Sequence, residues 1–228
     1  DVNEGFADDI HAAASSSDLA IITGKQRQAA GEMESWAVEN GMAISAPKST
    51  VTLFTPWTAQ VNAQLPVQID GVQVPMEKNP RLLGVFLDPT FSFSSHSIAI
   101  AKKASSRLKI LRALSDSAFG HDKECLLSTY KLYIRSLFDY AAPVVFPNYS
   151  RTSIERLQKI QNKSLRLVLG CHSASAVDHL HSECKELPVA QHLRLLSAQF
   201  LALRLQPEQP SQQYVPIARG PRRKKEPL

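Results

Sequence analysis

No apolar run in these 228 residues approaches the roughly 20 needed for a helix to span a bilayer, so no membrane partner is expected. Cysteine is scarce. Cys125, Cys171 and Cys184 are odd in number and irregular in spacing, which excludes a disulfide framework. Reduced thiols and an intracellular setting, nucleus and cytoplasm, are expected. The chain has no initiator Met and lacks the charged-then-apolar order of a secretion signal. Its sharpest motif falls within the first ten residues, so it reads as a fragment.

What is there is an uneven charge. Residues 1–96 carry 5 basic and 11 acidic side chains, whereas residues 97–205 carry 16 basic and 8 acidic. An acidic front suits cation binding and a basic back suits a polyanion, because Lys and Arg at phosphates release counterions. A mixed solvated surface is the plainer alternative.

The texture changes near residue 95. Before it, α and β signals mix. Ala29 to Asn40 reads as a helix with Ala30, Met33 and Ala37 on one side and Trp36 a candidate for the same side, stopped by Gly41. Val51 to Phe54 and Leu82 to Asp88 read as strands. Asp70-Gly71, between two Val-rich runs, is the strongest hairpin signal. After residue 95, helices dominate. Ala101, Ala104, Leu108 and Leu111 share a face, and Asp122 to Tyr140 keeps a helical apolar period. Thr152 to Glu155 reads as a capping box, Gly170 as a helix stop, and Pro188 as the first turn of a last helix. Beyond Leu205 the Pro- and Gln-rich tail has no apolar period and is expected to be disordered. Its run Arg219 to Lys225 fits an import signal, a nucleic-acid clasp or a solubilising end alike.

Two constellations could carry chemistry. Phe6-Ala7-Asp8-Asp9 sets two carboxylates side by side. At a tight turn between strands they could face one cavity and hold hard divalent ions such as Mg²⁺ or Mn²⁺ for phosphoryl chemistry. An Asp pair is also common in surface turns and helix caps. The second constellation is basic. Arg156, Lys159, Lys163 and Arg166 repeat at helical spacing, and Lys102, Lys103 and Arg107 lie around the earlier helix. Such a face can meet phosphates by shape and charge, or simply be solvated. Cys171, His172, His179, His181 and Cys184 match no zinc-ligand spacing, so helix packing and surface roles are expected of them.

Aromatic-Ala-Asp-Asp at residues 6–9 resembles the motif C turn of reverse transcriptases. Trp36 to Gly41, leading into Ser45-Ala-Pro-Lys48-Ser-Thr, is similar to motif D of the non-LTR, LINE-like enzymes. Arg81-Leu-Leu-Gly84-Val-Phe-Leu-Asp88, followed by Phe91 and His96, looks like their next block. Leu165 to Gly170, Asp178 to Glu183 and Leu187-Pro188-Val189 resemble the segment after the palm in jockey-type elements. Together the blocks cover nearly all of residues 2–205.

The resemblance implies an α/β (α+β) fold: a truncated polymerase palm over residues 1–95, an all-α thumb over 96–205 and a basic tail over 206–228. It implies RNA-templated DNA synthesis with Mg²⁺ or Mn²⁺, an RNA template, a DNA primer and deoxynucleoside triphosphates. Asp8 would be the metal ligand and Asp9 a second acid or a supporting group. Phe6 and Ala7 would lie beside the primer end. Lys48 would donate a proton to pyrophosphate or contact phosphate. Leu83, Gly84 and Val85 would border the primer, with Gly84 allowing close approach. The family also needs an Asp upstream of motif C, and only five residues precede Phe6. No polymerase activity is therefore expected of these residues alone. The rivals are a non-enzymatic nucleic-acid-binding protein built on the basic helices, and a structural protein whose helical half packs on a partner.

Overall fold

The computed structural model describes the backbone of residues 2–6 and, with side chains, nearly all of residues 9–115 and 120–205. The fold is helix-rich α+β. It divides into two compact units, one ending at Ser95 and the other starting at His96.

In the first unit, β1 (Val2–Phe6) and β2 (Asp9–Ala13) form an antiparallel ladder. Helix α1 (Leu19–Glu39) follows. It begins ten residues before the apolar period does. Its start is set by Asp18, whose carboxylate accepts from the Ala20 N–H at 2.8 Å and so satisfies an orphan amide. The large apolar residues of its first half, Leu19, Ile21 and Ile22, stop after the first turn, too short a run to show a period. Ala30 and Ala37 are buried, but Trp36 is 48% exposed, so it does not join that face. Gly41, at φ +67°, ends the helix in the left-handed region.

The Asp70-Gly71 turn forms as its sequence predicts. Both residues have positive φ, and they join β3 (Gln68–Ile69) to β4 (Val72–Gln73). Helix α1 packs on this hairpin around a small core of Ala30, Ala46, Val67, Ile69 and Val74. Arg27 donates to the Pro66 carbonyl and the Asp70 N–H donates to Glu34, fixing helix to hairpin.

Two strand expectations change. Val51 to Phe54 contributes a single parallel bridge, Val51 to Met76, rather than a strand. The run from Leu82 is no continuous strand. It folds back on itself, with β5 (Arg81–Leu82) pairing antiparallel to β6 (Val85–Phe86). Leu83 and Gly84 form the turn at φ +45° and +86°. An apolar run hides such a turn because only its glycine signals it. The three ladders among the described residues are separate two-stranded sheets.

The second unit is all helix. Helix α2 (Ser94–Leu114) buries Ala101, Ala104, Leu108 and Leu111, the stripe its spacing dictates. Helix α3 (Lys123–Thr129) runs through a π-helical segment, Tyr130–Arg135, into α4 (Ser136–Asp139). Along this path Leu126, Tyr130, Ile134 and Phe138 are buried at intervals of four. The short helix α5 (Ala142–Val145) follows Ala141, which has φ +57°.

Helix α6 (Arg151–Leu169) is capped two residues before Thr152, the cap that the sequence predicts. Ser150 is the cap, its hydroxyl accepting from the Ser153 N–H, while Glu155 pairs with Arg151 at 2.7 Å instead of closing a box. Gly170 ends α6 at φ +62°, with the Cys171 N–H reaching the Arg166 carbonyl. Helix α7 (Val177–Cys184) and helix α8 (Val189–Arg204), the latter capped by Pro188, complete the unit. Their core joins Leu157, Ile160, Leu165 and Val168 of α6 to Leu180, Val189 and Leu193.

His96, near the start of α2, is almost fully buried, and burial holds its pKa below the ordinary 6.5. The unfolded chain therefore takes up this proton more readily than the folded one. His96 favours folding fully above about pH 6.5, and that contribution is lost as pH falls toward its lower folded value. We expect a lower urea midpoint at pH 5.5 than at pH 7.5, and a smaller difference in His96→Gln. A His96→Gln chain with an unchanged pH dependence would remove this explanation.

Candidate functional site

The β1–β2 register runs from Val2 opposite Ala13 to Phe6 opposite Asp9. That pairing leaves two chain positions, 7 and 8, between the joined ends. Asp9 is therefore the first residue of β2, exposed and outside any helix. Ala7, Asp8 and the side chain of Phe6 lie outside the described residues.

Among the described residues, no three of His, Cys, Asp or Glu gather where they could hold a metal ion. Asp9 alone offers the hard oxygen donor that magnesium takes, and one exposed carboxylate does not make a cage. The described residues thus do not by themselves fit a metal centre, and no chemical step is derived through one.

Lys48 is exposed on a turn whose Lys48 N–H donates to the Ser45 carbonyl at 3.1 Å, with Ala46 buried beneath. Leu83 and Gly84 sit together at the tip of the β5–β6 hairpin, and Leu83 is 47% exposed. A side chain at Gly84 would be strained at that φ, so the residue suits the turn as well as close approach of a ligand. Val85 is buried, so it anchors the hairpin rather than facing outward.

The basic residues divide into two kinds. Lys102, Lys103, Lys159 and Lys163 are exposed. The arginines serve the protein's own packing. Arg107 lies over the Tyr133 ring at 4.3 Å and donates to the Tyr133 carbonyl. Arg156 donates to Ser97 Oγ at 2.7 Å, tying α6 to α2. Arg166 donates to the Ser175 carbonyl at 3.1 Å. Sequence spacing could not separate these from the free lysines, because it does not show what lies opposite.

Cys171 and His179 are exposed and Cys184 is buried, with burial first among the causes that raise its thiol pKa. The His172 ring accepts from the Ala174 N–H. His181 uses both ring nitrogens within the protein. Nδ1 faces the Glu186 carbonyl at 2.9 Å and must donate there, so in the neutral ring Nε2 accepts from Gln158 at 3.1 Å.

Sequence pattern assigned no role to two carboxylates. Asp88 is buried and accepts from the Thr90 and Ser92 N–H groups and from both hydroxyls. Burial alone would raise its pKa, but these bonds outweigh it and hold the carboxyl below its ordinary range. The Asp-Pro-Thr-Phe-Ser pattern could have signalled such a turn. Glu186 is buried, with Arg135 at 2.6 Å and Lys131 at 2.9 Å. Nothing local marks it, because its partners lie more than fifty residues away.

No family model matches the chain, and no solved structure matches it. Over 165 residues, 72% of its length, the chain is 27% identical to a protein described as a probable RNA-directed DNA polymerase from transposon X-element of Drosophila melanogaster. It spans 18% of that protein's length. Added to the ordered motifs at residues 6–9, 36–50, 81–96 and 165–189, this alignment supports a likeness of the chain to the reverse-transcriptase-like proteins of non-LTR retrotransposons.

Proposed function

We propose that the chain is part of an RNA-directed DNA polymerase that copies retrotransposon RNA into DNA. In this reading residues 1–95 are the end of the palm, residues 96–205 are the thumb, and 206–228 are a basic tail. Asp8 and Asp9 are the carboxylates of a Mg²⁺-dependent nucleotidyl-transfer site, and Lys48 is a phosphate contact or proton donor. The Leu83-Gly84 tip lies beside the primer. The helical unit grips the RNA–DNA duplex through its exposed lysines, and deoxynucleoside triphosphates are the second substrate. Nucleus and cytoplasm are its settings.

The observation that carries this reading is the place of Asp9, opposite Phe6 at the paired end of an antiparallel hairpin. A bound divalent ion would supply charge stabilisation and a more nucleophilic primer hydroxyl. The partner carboxylate that such a site needs is not among the described residues.

The test has two arms. The purified 228-residue chain should extend no primer. Joined to upstream sequence bearing the further metal-binding Asp, it should extend one in Mg²⁺. Asp8→Ala should then lower the rate about a thousandfold or more, the scale of losing several kcal/mol of charge stabilisation. Unchanged extension by Asp8→Ala in the joined protein would overturn the proposal.

The four exposed lysines favour one second reading, a nucleic-acid-binding protein without catalysis. That protein would bind duplex equally with and without EDTA, and no joined form of it would extend a primer.

A further inference from the structure

The loop after β6 carries an aromatic row. Phe93 is 2% exposed, Phe91 41% and Phe54 38%. The Phe54 and Phe91 rings stack at 4.5 Å between centroids and 24° between planes. Phe93 meets Phe91 tilted, at 6.2 Å and 54°. The row thus runs from a buried foot to two rings that leave much of their surface in water.

This arrangement is held at a cost. Phe91 and Phe93 both have positive φ, at +52° and +53°, a region bulky residues rarely enter. What holds them is the Asp88 cage. The carboxylate fixes Thr90 and Ser92, the residues before and after Phe91, and the Phe91 N–H donates to the Asp88 carbonyl at 2.9 Å. The Thr55 N–H donates to the Pro89 carbonyl at 2.9 Å, which pins Phe54 to the same loop. Burial of the Phe93 ring accounts for its own strained backbone, but the Phe91 ring stays 41% exposed, and strain held at an exposed ring points to a function.

Charge narrows the ligand. Residues 45–95 balance Lys48, Lys78 and Arg81 against Asp70, Glu77 and Asp88, so this stretch carries no excess to attract phosphates. A group held here is held by its flat face. Resting on the polymerase reading above, we propose that the Phe54–Phe91 stack is a seat for an unpaired nucleobase of a single-stranded nucleic acid. Every base presents a π-face, so the seat tolerates sequence.

The test uses the full chain at elevated salt, where contributions from lysine contacts shrink. Binding of a short labelled oligodeoxythymidylate is compared with an abasic oligomer of the same length. The wild type should prefer the base-bearing strand by about tenfold, the scale of one lost stacking contact. Phe91→Asn keeps the left-handed backbone and removes the ring, and should abolish that preference. Phe54→Ser should do the same, and Phe91→Tyr should retain it. Urea midpoints of the variants establish that they fold. Phe91→Tyr also keeps the comparison informative should Phe91→Asn not fold, because a Tyr variant that loses the preference overturns the seat. A wild type that binds duplex at low salt but does not distinguish the two strands overturns the seat and leaves the polymerase reading standing. A wild type that binds neither duplex nor strand overturns both.

Discussion

A chain carrying Lys102→Glu, Lys103→Glu, Lys159→Glu and Lys163→Glu should bind an RNA–DNA duplex at least about a hundredfold more weakly near 0.1 M salt. The slope of log affinity against log salt should shrink by about 3 to 4, because each neutralised phosphate releases close to one counterion. These four ammonium groups are exposed on α2 and α6, whereas Arg107, Arg156 and Arg166 are committed to Tyr133, Ser97 and Ser175. The arginines therefore give a contrast. Arg156→Ala should lower the urea midpoint while leaving the salt slope nearly unchanged, since it removes one bond to Ser97 rather than a phosphate contact. Salt titrations of duplex binding for the quadruple variant and for Arg156→Ala check both halves. A quadruple variant with the wild-type slope would remove the helical face from the nucleic-acid interface.

Glu186→Ala should destabilise the helical unit by about 3–5 kcal/mol, the usual cost of breaking a buried pair and leaving its partner charged. Glu186 sits just after Lys185, at φ +52°, on the connection between α7 and α8. Its side chain is 4% exposed and meets Arg135 and Lys131. Arg135, 24% exposed, also lies 3.6 Å from Asp139, which in turn holds His192 at 2.9 Å. Removing Glu186 thus leaves Arg135 with one weaker partner. Lys131 is 38% exposed and water can screen it, so Lys131→Ala should cost only about 0–1 kcal/mol. Glu186→Gln keeps an acceptor in the same shape and should fall between the two. Urea unfolding of the three variants gives the order. A Glu186→Ala chain as stable as wild type would show that the cluster is open to water.

Legibility in the sequence followed the range of the interactions. The stripe Ala101, Ala104, Leu108 and Leu111 was readable because helical period is a property of consecutive residues. The Asp70-Gly71 turn and the Gly170 stop were readable because each rests on a residue that enters the left-handed region easily. The Leu82 to Leu87 run was misread as one strand, since Leu83 enters that region against its preference. The first half of α1 was hidden for the opposite reason. Its cap, Asp18, precedes residues with little apolar period, and none of Leu19 to Ala29 is buried.

The site divides the same way. Phe6-Ala7-Asp8-Asp9 and the order of the later motifs are written in the chain, and they carry its resemblance to non-LTR reverse transcriptases. The sequence by itself also determined the charge asymmetry and the apolar stripe of α2, because these depend on composition and on neighbours a few residues apart. Only the tertiary structure decided which cations are free and which are spent on Ser97, Ser175 or Glu186. It alone placed Phe54 against Phe91 and closed Thr90 and Ser92 around Asp88. A side chain's partner across the fold is chosen by how whole elements pack, and no local pattern encodes that choice.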